Sequence, residues 1–154
     1  MMTQIFIASG CDGQATHTQL WDNAPLQGRF IVWRRSVPHA KSWPSVYSWT
    51  TGILDQGYSP AFVVINRDWY PTACSQVSHK HVLDMDEAYA NIKRAYNLIY
   101  SELYSLGYNY TAISYESIVR DPKGSLSKLS NRIRYELNSI DIQDQNSKWY
   151  GEMS

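Results

Sequence analysis

The chain predicts an α/β domain of three layers, α/β/α, around a central, mainly parallel sheet of about four to five strands. Three observations carry that prediction. Short apolar runs (QIFIAS, RFIVWR, AFVVIN, TAISY) are separated by longer stretches with apolar residues at three- and four-residue steps, the pattern of strands joined by crossover helices. The run Ala61–Asn66 is apolar on both faces, as a strand covered on two sides should be. At 154 residues the chain is the size of one compact unit, here residues 1–154 as a single domain.

Taken in order, Gln4–Ser9 reads as a short buried strand. A Ser-Gly-Cys-Asp-Gly turn follows, then a helix over Gln14–Trp21. Asp22–Gly28, with Asn, Pro and Gly, is a loop. Arg29–Arg34 is a second strand, and Ser36–Pro44, holding two prolines, is irregular. Ser45–Gln56 reads as a helix, Gly57–Pro60 as a turn and Ala61–Asn66 as the third strand. Asp84–Leu106 is the clearest helix: Met85, Ala88, Tyr89, Ile92, Ala95, Tyr96, Ile99 and Leu103 form one stripe. Asp84 and Glu87 have capping-box spacing, and Gly107 ends the run. Thr111–Tyr115 is the fourth strand, Asp121–Gly124 a turn, and Ser125–Leu137 a last amphipathic helix. From Asp141 the chain is mainly polar, with one aromatic pair, Trp149-Tyr150.

Composition narrows the function. Lys and Arg number 14, as do Asp and Glu, so there is no basic stripe for duplex nucleic acid. An anion site must therefore be built from a few local groups. Twelve Tyr and six Trp provide for aromatic-walled pockets. No apolar run approaches the ~20 residues of a membrane helix, and no export signal is visible. Two cysteines without metal spacing make a reduced, cytoplasmic setting the expectation.

In parallel sheets ligands sit beyond the carboxyl ends of the strands, so the segments that follow strands hold the candidates. After the first run, Gly10 and Gly13 permit a tight turn, and the amides of a helix opening at Gln14-Ala15-Thr16-His17 can hold an anion without a side-chain charge. An ordinary structural turn accounts for the same residues. After the second run, His39 can serve as general base on a hydroxyl, with Arg34 or Arg35 stabilising developing negative charge. The alternative is a surface histidine in a turn. After the third run, Arg67 ends the strand and Ser75 lies eight residues on, with Pro71 in the first turn of a short helix. A guanidinium fork plus a hydroxyl suits a phosphate monoester, and the competing reading pairs Arg67 with a carboxylate such as Asp68. His79 and His81 on a helix point apart and have no third partner in spacing, so no metal site is read there.

Together these segments resemble the sulfotransferases that use 3′-phosphoadenosine-5′-phosphosulfate. The family's phosphate loop after its first strand is matched in place by Gly13-Gln14-Ala15-Thr16-His17. Its lysine is missing, and only the first threonine is kept. The family's Arg and Ser, eight residues apart, are matched by Arg67 and Ser75. His39 stands where the family has its base, "ISYESIVRDPKGSLSKL" is similar to a late stretch of the family core, and "NSKWYGE" is similar to the basic-aromatic close of some bacterial members, which makes Lys148 a candidate phosphate contact. The resemblance implies a P-loop nucleoside triphosphate hydrolase-like fold of minimal bacterial or phage type. It implies sulfuryl transfer from 3′-phosphoadenosine-5′-phosphosulfate (PAPS) to an unidentified hydroxyl or amine of a small molecule or glycan, with adenosine 3′,5′-bisphosphate (PAP) as product.

In that reading the donor's 5′ end meets the backbone amides of Gly13–Thr16, Arg67 and Ser75 hold its 3′-phosphate, and His17 and Lys148 are further cofactor-binding candidates. His39 and Arg35 are catalytic, and no metal is required. Arg34, Arg35 or Lys41 substitutes for the absent lysine, and Trp21, Trp43 or Trp69 walls the adenine or acceptor site. A monomer or homodimer, with neither nucleic acid nor membrane as partner, is expected. The alternatives are a nucleotide or small-molecule kinase, which needs a loop lysine and a magnesium ligand such as Asp68, and a non-catalytic nucleotide-binding relative.

Overall fold

A computed structural model describes residues 1–13, 28–38, 43 and 45–151. Its one named sheet has two parallel strands, β1 (Phe62–Asn66) and β2 (Tyr110–Ser114), paired from Phe62 beside Tyr110 to Asn66 beside Ser114. Parallel strands need a long crossover, and two helices supply it: α3 (Trp69–Ser78) and α4 (Met85–Ser105). Both are capped as their sequences dictate. Asp68 accepts from the Tyr70 N–H at 3.0 Å, and Asp84 accepts from the Glu87 N–H at 2.9 Å. Ala73 of α3 and Ala88 of α4 are fully buried with Ile92 beside them, and Met85, Tyr89 and Tyr96 of α4 pack around that cluster.

The two faces of the sheet serve different clusters, because successive strand residues point to opposite sides. Val64 packs with Leu103 of α4 and Val46 of α2 (Val46–Asp55). Glu102 of α4 accepts from the Ser45 hydroxyl at 3.1 Å and from the Val46 N–H, placing a carboxylate at the amino end of α2 where its unpaired N–H groups and dipole favour it. On the other face Val63 and Ile113 pack against Ile5, Ile118, Leu126, Leu129 and Leu137. These come from α1 (Met2–Ala8), α5 (Tyr115–Arg120), α6 (Pro122–Ile133) and the segment after it.

Several expectations are corrected. Gln4–Ser9 is not a strand: α1 occupies it, with Ser9 N–H on the Ile5 carbonyl at 3.0 Å. A short apolar run has no period that separates a buried strand from a buried helix turn. Ile5 reaches the α5–α6 cluster from a helix. The strand expected at Arg29–Arg34 is reduced to a single parallel bridge, Ile31 to Asp12, with Asp12 N–H on Phe30 O and Val32 N–H on Asp12 O. The described sheet therefore has two strands rather than four to five: the architecture is α/β with a small parallel sheet. The last long helix begins at Pro122, not Ser125, since Asp121 accepts from the Gly124 N–H at 3.0 Å and Pro122 fills the first helical position. It ends at Ile133, with Arg134 in the left-handed region at φ 54°. The helix expected at Gln14–Trp21 lies outside the described residues.

No helix among the described residues is long and apolar enough to cross a membrane. Ile118 is fully buried at the centre of the α1–α5–α6 cluster, so Ile118→Ala should lower unfolding free energy by about 2–5 kcal/mol. Urea denaturation followed by circular dichroism measures this, and a change below about 1 kcal/mol would remove Ile118 from the centre of the core.

Candidate functional site

The register of the sheet builds the site. Because Asn66 pairs with Ser114, the residues that follow them emerge side by side: Arg67 next to Tyr115, Asp68 next to Glu116. The Arg67 guanidinium lies over the Tyr115 ring, 5.1 Å from its centre, a cation–π geometry. The Asp68 N–H donates to Glu116 Oε1 at 2.8 Å, and the Ser114 hydroxyl donates to Glu116 Oε2 at 2.7 Å.

The polar C-terminal segment closes over these strand ends. Arg67 Nε donates to Asn146 Oδ1 at 2.6 Å, and Nη2 donates to the Gln145 carbonyl at 3.4 Å. Asn146 Nδ2 donates to Glu116 Oε1 at 2.9 Å. The Tyr115 hydroxyl accepts from Gln145 N–H at 2.6 Å and donates to Gln143 O at 3.3 Å. Beyond Asn146 comes α7 (Ser147–Tyr150), whose Tyr150 ring stacks near Tyr70 of α3 and whose hydroxyl donates to Asp68 Oδ2 at 2.5 Å, a charge-assisted length. On the far side, Tyr96 and Tyr100 of α4 turn their hydroxyls to the end of β1. The Arg67 N–H donates to the first at 3.2 Å, and the second donates to Asn66 Oδ1 at 2.8 Å.

Electrostatically, both oxygens that Arg67 reaches are uncharged amide oxygens, whereas the Glu116 carboxylate is surrounded by donors. Burial pushes the Glu116 carboxyl up, but the Asp68 N–H, the Ser114 hydroxyl, its own N–H and the Asn146 amide together outweigh this and hold it below its ordinary 4.5. The Tyr150 hydroxyl is pushed up to about 12, chiefly by donating to Asp68, with burial and the negative charges of Asp68, Glu116 and Asp144 adding to the effect. It remains a donor at neutral pH.

Of the residues singled out from sequence, Arg67 and the helix carrying Lys148 come to the same strand end. Lys148 is exposed, its ammonium 4.6 Å from the centre of the Trp149 ring. Ser75 is half-buried in the second turn of α3, on the face of the buried Pro71. It lies six residue steps along the helix from Trp69, about 9 Å of rise, so a ligand touching Arg67 and Ser75 lies along α3 rather than at its tip. The hydrogen bonds of Arg67 among the described residues run to the C-terminal segment, not to Ser75.

Gly13 does not follow a strand. A Cβ there would stand 2.8 Å from the Val32 carbonyl oxygen, so the close approach of the 28–38 segment is what excludes a side chain. Arg35 lies with its guanidinium 5.8 Å from the centre of the Trp49 ring. Gln14, Ala15, Thr16, His17, Trp21, His39 and Lys41 lie outside the described residues. Trp43 is faced by the Arg94 guanidinium at 4.1 Å, and Trp69 stacks on Tyr96. His79 and His81 do not share a helix: α3 ends at Ser78, Lys80 turns at φ 56°, and their rings come to 5.9 Å.

Asn146, Glu116, Tyr115 and Tyr150 are the members sequence reasoning left without a role. Tyr115 and Glu116 were legible as strand-end residues; Asn146 carries no local signal, since its side chain caps nothing. Comparison with known proteins finds no matching family model, no matching curated protein and no matching solved structure.

The lowered carboxyl of Glu116 sets a pH dependence. Its stabilising contribution is present above the ordinary 4.5 and is lost as pH falls through the lower folded value. Glu116→Gln should therefore melt below wild type at neutral pH, with the gap closing below about pH 4.5. Melting curves across that range test it, and a gap independent of pH would refute the assignment.

Proposed function

We propose that the strand-end site binds the 3′-phosphate of an adenosine 3′,5′-bisphosphate moiety, and that the protein is a sulfotransferase using PAPS as donor. One observation carries this reading: at the carboxyl end of a parallel strand pair, a guanidinium rests on neutral oxygens, with its charge left for an anion, directly ahead of the capped helix that bears Ser75. Arg67 supplies the charge, Ser75 a hydroxyl further along α3 and Lys148 a second cation. In the transfer, His39 takes the acceptor hydroxyl proton, the acceptor oxygen bonds to sulfur, and the bond from sulfur to the 5′-phosphate oxygen breaks to release PAP. Arg35 stabilises the charge that develops. The reading rests on the 3′-phosphate half of the donor.

A second reading has its own observation. The Nε bond to buried Asn146 makes Arg67 a tether for the C-terminal segment, and a non-catalytic protein needs nothing more. Calorimetric titration with PAP separates the two. Wild type should bind, and Arg67→Ala should lose roughly 10- to 100-fold in affinity, the value of a hydrogen bond to a charged group. Ser75→Ala should lose less, and His39→Ala should bind normally while sulfuryl transfer to a phenolic or sugar acceptor disappears. Absence of heat with wild type, together with a lowered melting temperature in Arg67→Ala, would leave the tether reading standing alone.

A further inference from the structure

We infer that Asn146 is the positioning residue that keeps Arg67 available to an anion, an inference that rests on the donor-site reading above. Asn146 is only 2% exposed, unusual for an asparagine in a terminal polar segment. It precedes α7 without capping it. Its side chain instead stands between opposite charges: Oδ1 receives Arg67 Nε at 2.6 Å, and Nδ2 gives to Glu116 Oε1 at 2.9 Å. Its own N–H is fixed on Asp144 Oδ1 at 2.8 Å.

Arg67 and Asp68 emerge beside Tyr115 and Glu116 from paired strands, so a guanidinium and a carboxylate are delivered to one place. Left alone, they would close into a bidentate ion pair, the preferred geometry for these groups. A guanidinium paired in that way has its fork filled, and a phosphate would have to break the pair first. The amide prevents closure by satisfying one edge of each partner with a neutral group. Glu116 is also engaged by the Asp68 N–H and the Ser114 hydroxyl, and the Tyr115 ring lies against the guanidinium, its centre 5.1 Å away. Among the described residues the hydrogen bonds of Arg67 engage Nε and Nη2, and Nη1 is the end of the fork that a ligand meets.

The test is PAP affinity measured by calorimetry on folded wild type, Asn146→Ala, Glu116→Gln and the double variant Asn146→Ala/Glu116→Gln. Asn146→Ala should bind at least about 10-fold more weakly, because Arg67 is captured by Glu116. The double variant should recover most of that loss, because the captor has lost its charge. A purely structural asparagine predicts the opposite, with the second substitution adding to the damage. Should Asn146→Ala fail to fold, Asn146→Asp keeps the shape, puts a carboxylate directly on Arg67 and should weaken binding at least as much. Wild-type affinity in Asn146→Ala or in Asn146→Asp, or a double variant weaker than Asn146→Ala, overturns the inference while leaving the donor site intact. Failure of wild type itself to bind overturns both.

Discussion

Parallel pairing of β1 with β2, in one register, is the constraint on which the rest of the molecule depends. It aligns Asn66 with Ser114, and two residues beyond that line the chain has already delivered a guanidinium, two carboxylates and a buried aromatic ring to one spot. The same pairing demands a crossover, and the α3–α4 pair that provides it brings Tyr96 and Tyr100 back to the end of β1. A slip of one residue would turn Val64 away from the α2–α4 cluster and separate Arg67 from Tyr115, so packing and site geometry are set by one choice.

The C-terminal segment is held differently from the core. α7 has no buried residues, and apart from the stacking of Tyr150 near Tyr70 the contacts that hold this segment at the strand ends are polar: Gln145 and Asn146 on Arg67, Asn146 on Glu116, Tyr115 on Gln143 and Gln145, Tyr150 on Asp68. Hydrogen bonds to charged groups contribute about 1.5–3 kcal/mol each when both partners are satisfied, and loss of one partner exposes the desolvation cost of the other. A network of this kind is cooperative and sensitive to charge. It also gives the site its character: cation and carboxylate are kept near one another without neutralising, separated by a single carboxamide.

Several elements were legible because their signals are local. Asp84, the apolar stripe from Ala88 to Leu103 and Gly107 mark α4 to within a residue or two. The doubly apolar run Ala61–Asn66 marks β1, and TAISY marks β2 one residue late. Arg67 was legible through the rule that ligand groups follow parallel strands. The amino-terminal run was not, because Ile5, Phe6 and Ile7 fit a buried helix turn and a buried strand equally, and the choice fell to the α5–α6 cluster that covers Ile5. The helical turn of α5 escaped notice too. Its cap is Ser114, the last residue of β2, whose hydroxyl accepts the Ser117 N–H at 3.2 Å and so ends a strand and begins a helix at one residue.

What the chain determines by itself is the set of elements with their own periodicity, caps and breakers, and the presence of an arginine just past a buried strand. These depend on neighbours within a turn or two, where spacing and backbone preference suffice. Only the tertiary structure decided that the sheet among the described residues has two strands, that an asparagine near the C-terminus is buried, and that its amide stands between Arg67 and Glu116. Those facts join residues 79 and 30 positions apart. Such contacts form only once chain-wide packing has removed the groups from water, and that step leaves no mark in local spacing.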